Sequence, residues 1–391
     1  MSYYYDSSSS SSFSSSSYDS YSDNVSDDES SEEEMSFGEG IQIALINIQW
    51  TPQELKIMTT DAQIIQNIIM KTLCDHNPDF KKAFGGLSSA DSFLDDIQFS
   101  LPDKYDLNIE LRLPLFLQAV CAYDYSGFVF LHVIGGDYGH RCVQKYNGNY
   151  YINRLQLQKW LTNCLSKVMY QLAFVNVSRR RAYSLKYIPR GDEHRFEAIE
   201  TSGNGRRLCF NFVPSIKFAA NQWPRGLDKV PNKNLDWYAK PRNYDKANCQ
   251  NDSRSFIISA PHWENLALYN KKNLKNSLRL MKAFRQANEM HGQVNYMIKL
   301  IYLNEINKKP ESYWSQSPGE LLICMMNKLI IGLLKNYIPF YLDPSHNWLD
   351  QLKESDRRQY LRKTSRCLNK LKRRQNANYL TDEDLDEFFG V

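Results

Sequence analysis

The chain has 391 residues with 42% hydrophobic and 24% charged content, enough to bury a large core in one large or two medium domains. Its formal net charge of +4 hides an asymmetry: residues 1–40 carry ten acidic side chains and no Lys or Arg, and the rest sets 48 basic against 34 acidic residues, a net +14. Eight scattered cysteines with no CxxC pair and no Cys/His cluster at zinc spacing point away from a disulfide scaffold or zinc module and toward free thiols in a reducing compartment.

Residues 1–40 form a Ser/Tyr/acidic segment without a basic start or apolar stretch, so it reads as a disordered tail rather than a signal peptide. Serines beside carboxylates in Ser26–Glu34 allow acid-directed phosphorylation, and an unmodified solubilising tail fits equally. Order is expected from about Ile41. Thr51-Pro52-Gln53-Glu54 is a capping box with Pro at the first helical position, and Leu55, Met58, Ile64, Ile65, Ile68, Ile69 and Leu73 predict a long amphipathic helix to about Cys74. Gly85-Gly86 is expected to break the chain.

From Lys104 the pattern alternates with period two. Tyr105, Leu107, Ile109, Leu111 and Leu113 face one way; Lys104, Asp106, Asn108, Glu110 and Arg112 face the other, toward a cleft or water. Further strands are expected at 126–134 and 207–218, with a helix over 155–171 after Asn149-Tyr150-Tyr151-Ile152-Asn153. Arg179-Arg180-Arg181 is placed in a loop, and Gly203-Asn204-Gly205 in a hairpin turn. From about Asp252 the pattern turns helical, over 263–268, 275–290, 294–304, 318–335 and 345–353, then a basic helix over 357–374 and an acidic end at 382–387. The greasy run Leu321–Leu334 is interrupted by Asn327 and Lys328 and falls short of the ~20 residues of a membrane span. The expected class is α+β: a core lobe over 41–250, a helical lobe over 251–355, and a basic helix with an acidic end over 356–391. A soluble, cytoplasmic or nuclear protein is expected.

Two carboxylates at i and i+2 on one strand, a third on a neighbouring strand and a Ser-bearing turn upstream are how a nucleotidyltransferase holds two metal ions and a triphosphate. Here Ser92 is in such a turn, after Asp91 rather than Gly. The i, i+2 pair is Lys104 and Asp106, and the third position is Asn211. One of three acids survives. A lysine ammonium near a divalent cation in a partly buried cleft costs on the order of several kcal/mol at an effective dielectric near 20. Taken alone, an ordinary surface strand presents the same row.

An ordered set of segments carries a resemblance. It comprises Ser92 with Lys104-Tyr105-Asp106; Tyr150-Tyr151-Ile152-Asn153; Asn211-Phe212-Val213-Pro214; Trp223-Pro224; His262-Trp263-Glu264; Leu280-Met281-Lys282; Asn295-Tyr296-Met297-Ile298-Lys299; and Asn336-Tyr337-Ile338-Pro339 with Asn347-Trp348-Leu349. Across about residues 45–355 the chain resembles the cyclic GMP-AMP synthase (cGAS)-like receptor and male-abnormal (Mab) family of nucleotidyltransferase-fold proteins. The resemblance implies a nucleotidyltransferase core lobe joined to an all-helical C-terminal lobe across a central cleft. It makes Ser92 a phosphate contact, Asp106 the remaining catalytic and metal carboxylate, Glu264 a nucleotide-side acid and Lys282 a phosphate contact. Tyr296 becomes a base-stacking aromatic within a nucleotide-binding run that includes Asn295 and Lys299. Read without it, Tyr296 fits a core position and Lys282 and Lys299 solvated helix faces. Tyr269–Lys275 holds no His or Cys, so no zinc insertion is expected, as in insect-type members.

The family role is innate immune nucleic-acid sensing. Two readings follow from it: a catalytically degenerate relative that keeps nucleotide or double-stranded nucleic-acid binding, or an active enzyme making a cyclic dinucleotide from ATP and GTP with Mg or Mn. Replacement at Lys104 and Asn211 favours the first. The phosphate-binding candidates are Arg179, Arg180, Arg181, Lys370, Lys372, Arg373 and Arg374, although a solvated face gives the same charge excess. No membrane partner is expected.

Overall fold

In the computed structural model of the protein, residues 35–49, 51–89, 104–122, 125–201, 205–244, 252–290 and 294–391 are described. Of the expected disordered tail, residues 1–34 lie outside them, as do Ser92 and the tip of the 203–205 turn, whereas residues 35–40 are ordered. The first helix, α1 (Phe37–Asn47), begins before the expected onset at Ile41. Ser36 and Glu39 form a reciprocal capping box and Phe37 and Ile41 are buried. Met35 bridges Leu380 near the other end of the chain. Thr51 caps α2 (Pro52–His76) through the Glu54 N–H, and α3 (Pro78–Ala83) follows after one residue.

Gly85 and Gly86 do not break the chain. They lie in β1 (Phe84–Ser89), which pairs antiparallel with β2 (Lys104–Leu111) through a register shift at Gly86, whose φ of 135° is open to glycine. The chain continues through β3 (Leu115–Cys121), β4 (Phe128–Gly136), β5 (Val143–Tyr146) and β6 (Asn149–Ile152). Then come α4 (Arg154–Val168), β7 (Phe174–Ser178), β8 (Arg181–Arg190), β9 (Glu193–Glu200) and β10 (Arg207–Phe218). After them, β11 (Trp237–Pro241) and β12 (Ser255–Ser259) complete a sheet ordered β5-β6-β4-β12-β11-β10-β9-β8-β7, with β3 beside β4 and β2, carrying β1, beside β10. The β2–β10 pair is parallel; the other pairings among the described strands are antiparallel.

The helical segment is α5 (Pro261–Leu268), α6 (Lys272–Ala287), α7 (Val294–Ile306), α8 (Pro318–Lys335), α9 (Glu354–Ala377) and α10 (Asp382–Phe389). The helix expected over 345–353 is only a short 3-10 turn, Trp348–Gln351. Asn347 accepts from the Leu349 and Ile338 N–H groups and donates to Asn336 O, tying this stretch to the chain before it. No helix among the described residues is long and apolar enough to cross a membrane.

Alternation along the central strands gives the sheet two unlike faces. Tyr105, Leu107, Phe210, Phe212, Phe196 and Leu185 are buried on the side covered by α2 and α4. On that side Asp61 of α2, fully buried, pairs with Arg181 at 2.9 Å and accepts from the Tyr183 hydroxyl at 2.9 Å. His194 of β9 is also there, between Gln158 Oε1 (2.7 Å) and the Tyr187 hydroxyl (2.8 Å). A neutral ring meets both by donating from Nε2 and accepting at Nδ1. Burial lowers the His194 pKa to about 4.

The unfolded histidine, near 6.5, takes up its proton first as pH falls. This term is therefore absent above pH ~6.5 and costs stability as the pH drops toward 4. Urea unfolding should show about 3 kcal/mol lost to His194 between about pH 7 and about pH 4. His194→Gln should flatten that limb; an unchanged slope in the variant would remove His194 as its source.

Candidate functional site

The opposite face of the sheet is polar. In the parallel pairing Asp106 stands directly beside Asn211, and Asn211 Nδ2 donates to Asp106 Oδ1 at 2.6 Å. Arg195 is the register partner of Asn211 on the far side, held by Glu197 at 3.0 Å and reaching Cys209 Sγ at 3.2 Å. Asn108 is fully buried, donating to Ser88 Oγ (3.4 Å) and accepting from Ser215 Oγ (3.1 Å). Glu110 accepts from the Tyr238 hydroxyl at 2.7 Å, and burial pushes that phenol's pKa up. Tyr238 also lies 3.3 Å from His262 Nε2, which carries the row to the start of α5. The row read as facing a cleft or water is therefore, at Asn108, an internal hydrogen-bonded one. In the strand register Lys104 pairs with Cys209.

As a metal site, Asp106 and Asn211 supply one carboxylate, one of whose oxygens receives an amide N–H. An amide nitrogen is no ligand for a hard divalent cation, and it is this nitrogen, not the amide oxygen, that meets the Asp106 carboxylate. Among the described residues no group of three or more His, Cys, Asp or Glu side chains is arranged to hold a metal. This donor set does not fit a pair of divalent ions.

In the helical lobe the structure brings Glu264, Tyr296 and Lys299 together. Glu264, 3% exposed on α5, pairs with Lys299 Nζ at 2.8 Å and accepts from the hydroxyls of Tyr296 (3.0 Å) and Tyr341 (2.7 Å). Lys299 is 2% exposed. Burial first, then the Glu264 charge, push the Tyr341 pKa well up. The Tyr296 ring packs at 4.7 Å on Trp348, and the Arg242 guanidinium, bonded to Gln351 Oε1 at 3.0 Å, lies 4.7 Å over the same indole. Lys282 is buried on α6, and Asn295 is exposed in the first turn of α7. Sequence reasoning missed Tyr341, 77 residues from Glu264, because no local spacing links them.

The basic candidates separate. Arg179 and Arg180 form the exposed β7–β8 turn, whereas Arg181 is committed to Asp61. On α9, Lys370 pairs with Asp384 (2.8 Å) and Glu387, and Arg374 with Asp384 (2.7 Å), so both hold α10 in place. Lys372 donates to Asn327 Oδ1 at 3.2 Å, and Arg373 is exposed. A groove of about 650 Å³ between the α2–α3 junction and α4 is lined by Arg141, Lys159, Lys167 and His76, with Asp79 bound to Arg141 at 2.6 Å. Lys159, Asn163 and Lys167, four residues apart on α4, are the local spacing by which a sequence could have pointed to it.

A mixed sheet with a parallel central pair, followed by a helical lobe, defines a nucleotidyltransferase-fold protein of α+β class. Residues 273–366 match the family model of the Mab-21 protein HhH/H2TH-like domain. The chain is 35% identical over 358 residues to a cyclic GMP-AMP synthase-like receptor of Drosophila eugracilis, covering 91% of this chain and 96% of that protein. It is 29% identical over 342 residues to a cyclic GMP-AMP synthase-like protein of Drosophila melanogaster (86% and 94%), and 26% identical over 281 residues to a cyclic GMP-AMP synthase-like receptor of Lucilia cuprina (68% and 74%). The chain belongs to the cyclic GMP-AMP synthase-like receptor family.

Proposed function

We propose that this chain is an innate immune protein of the nucleic-acid-sensing type that has kept the fold and a surface for duplex nucleic acid, nucleotide or both, and has lost two-metal nucleotidyl transfer. The amide of Asn211 donating into the Asp106 carboxylate carries the reading. Nucleotidyl transfer depends on two cations, one activating the attacking hydroxyl and one bridging the phosphates. Mg or Mn would need carboxylate oxygens where this chain supplies at Asn211 a neutral amide, a weaker ligand, and the sequence has Lys rather than an acid at position 104. The nucleotide-binding roles of Ser92, Glu264, Lys282, Asn295, Tyr296 and Lys299 belong to this proposal. The buried pairing of Glu264 with Lys299 supports a structural share for those two. Family membership, the net positive body and the groove at Arg141, Lys159 and Lys167 support an anionic polymer as partner. Action in the cytoplasm or nucleus follows from that partner.

Purified protein incubated with ATP, GTP, Mn²⁺ and duplex RNA or DNA is expected to give no cyclic dinucleotide by mass spectrometry. Duplex-dependent product at levels well above a protein-free control would establish the active reading instead.

A further inference from the structure

The helical period separates two groups among the basic residues of α9, beside Arg357, Lys363 and Lys372, which bond to Leu333 O, Asn288 O and Asn327 Oδ1. Lys370 and Arg374 turn toward α10 and are neutralised by Asp384 and Glu387. Arg358, Arg362, Arg366 and Arg373 stand on the exposed side, with Asn369 between them. At 100° per residue these positions fall within about 80° of one another, and at 1.5 Å per residue they span about 22 Å of axis. Two are lightly held: Arg358 by Glu354 at 2.7 Å with its side chain 72% exposed, and Arg366 by Glu387 at 3.4 Å with its side chain 81% exposed. Among the described residues Arg373 Nε reaches the Asn369 carbonyl of its own helix at 3.4 Å. Ion pairs this open contribute little and exchange their carboxylate for another anion readily.

We propose that this face of α9 is a docking surface for the phosphate backbone of a nucleic-acid duplex, with Arg358, Arg362, Arg366 and Arg373 as its phosphate contacts. It rests on the nucleic-acid reading above and names a surface that serves it. Three observations favour phosphate over a protein partner. The four cations are all arginines, whose planar forks bind phosphate bidentately. The residues interleaved on the exposed side, Gln359 and Asn369, are amides able to donate to phosphate oxygens, and no large apolar residue stands among them to form the dry centre of a protein interface. A helix of this length runs past many phosphates, since a duplex carries one charge per about 1.7 Å of axis. The face reads no base, so affinity is the same across duplex sequences.

The test measures binding of the full chain to a short mixed-sequence RNA duplex and its DNA counterpart, by fluorescence anisotropy, at about 50 and 200 mM salt. Each phosphate contact adds about 0.9 to the slope of log affinity on log salt. The variant Arg358→Gln/Arg362→Gln/Arg366→Gln/Arg373→Gln should therefore have a slope shallower by three to four. Across that salt range wild-type affinity should fall roughly a hundredfold more than the variant's. Arg362→Gln and Arg373→Gln singly should each lower the slope by about one, and they decide the matter if the fourfold variant melts early. Wild-type protein that binds no duplex at either salt overturns the nucleic-acid reading itself. Wild-type binding with unchanged slope in folded variants leaves that reading standing and overturns the α9 assignment. So does a polyglutamate peptide that displaces labelled duplex at equal charge concentration, which would give the face to an acidic protein.

Discussion

Glu264→Ala is expected to cost about 3–5 kcal/mol of folding stability, the range for removing one partner of a buried ion pair. The carboxylate is 3% exposed and takes a 2.8 Å contact from the Lys299 ammonium together with the hydroxyls of Tyr296 and Tyr341. Removing it leaves a cation that is itself 2% exposed without that countercharge, and withdraws an acceptor from two phenols. Tyr341 feels the loss most, because its ring is stacked at 4.7 Å on Trp263 and cannot swing to water without breaking that contact. The readout is the urea midpoint at unchanged m. Glu264→Gln, which keeps an acceptor for the phenols but not the charge, should fall between parent and Ala. The double change Glu264→Leu/Lys299→Met should recover much of the loss, because a well-packed apolar pair often matches a buried salt bridge. A loss below about 1 kcal/mol for Glu264→Ala would mean that Lys299 is solvated on opening, and the network would not then be what holds α5 to α7.

What could be read from the sequence follows the range over which its signals act. Thr51 before Glu54, the alternation of Arg207–Phe218 and the apolar run Leu321–Leu334 in α8 are signals within one element, and each marks an element that forms. Leu115–Cys121 has little polar alternation, and Ser255–Ser259 is a short apolar run that periodicity cannot tell from a buried helix, so β3 and β12 were invisible. The same limit applies to the site. The sequence holds both Lys370 with Arg374, one helical turn apart, and Asp384 with Glu387. Their pairing depends on the chain reversing at Asn378, which adopts a left-handed φ of 54° and caps α9, and at Thr381, which caps α10. A basic run read as open to phosphate is thereby divided between an inward set and an outward one. The neighbouring of Asp106 and Asn211, by contrast, was expected from the ordered resemblance, which placed Asn211 on the strand beside Asp106, and the two residues pair in register.

Converting the β2–β10 pair back to acids, Lys104→Glu with Asn211→Asp, is expected to create a metal-dependent protein. Asn211 Nδ2 now lies 2.6 Å from Asp106 Oδ1, so an aspartate there brings two carboxylates into contact range. Without a cation they cannot both ionise at low cost: one pKa rises, or the strands separate. In a chelator the double variant should therefore melt below the parent. Mn²⁺ should restore it in proportion to RT ln(1 + [Mn²⁺]/Kd), about 2.7 kcal/mol at a hundredfold excess over Kd. The parent, whose amide already occupies the carboxylate oxygen, should show no Mn²⁺-dependent shift. Asn211→Asp alone should show a weaker form of the same response, because the sequence keeps Lys rather than an acid at position 104. A double variant that ignores Mn²⁺ while remaining folded would mean that β2 and β10 do not frame a metal position in this chain. A parent that is stabilised as strongly as the variant would mean that the amide yields to the ion, and the loss of two-metal chemistry could no longer be argued from Asn211.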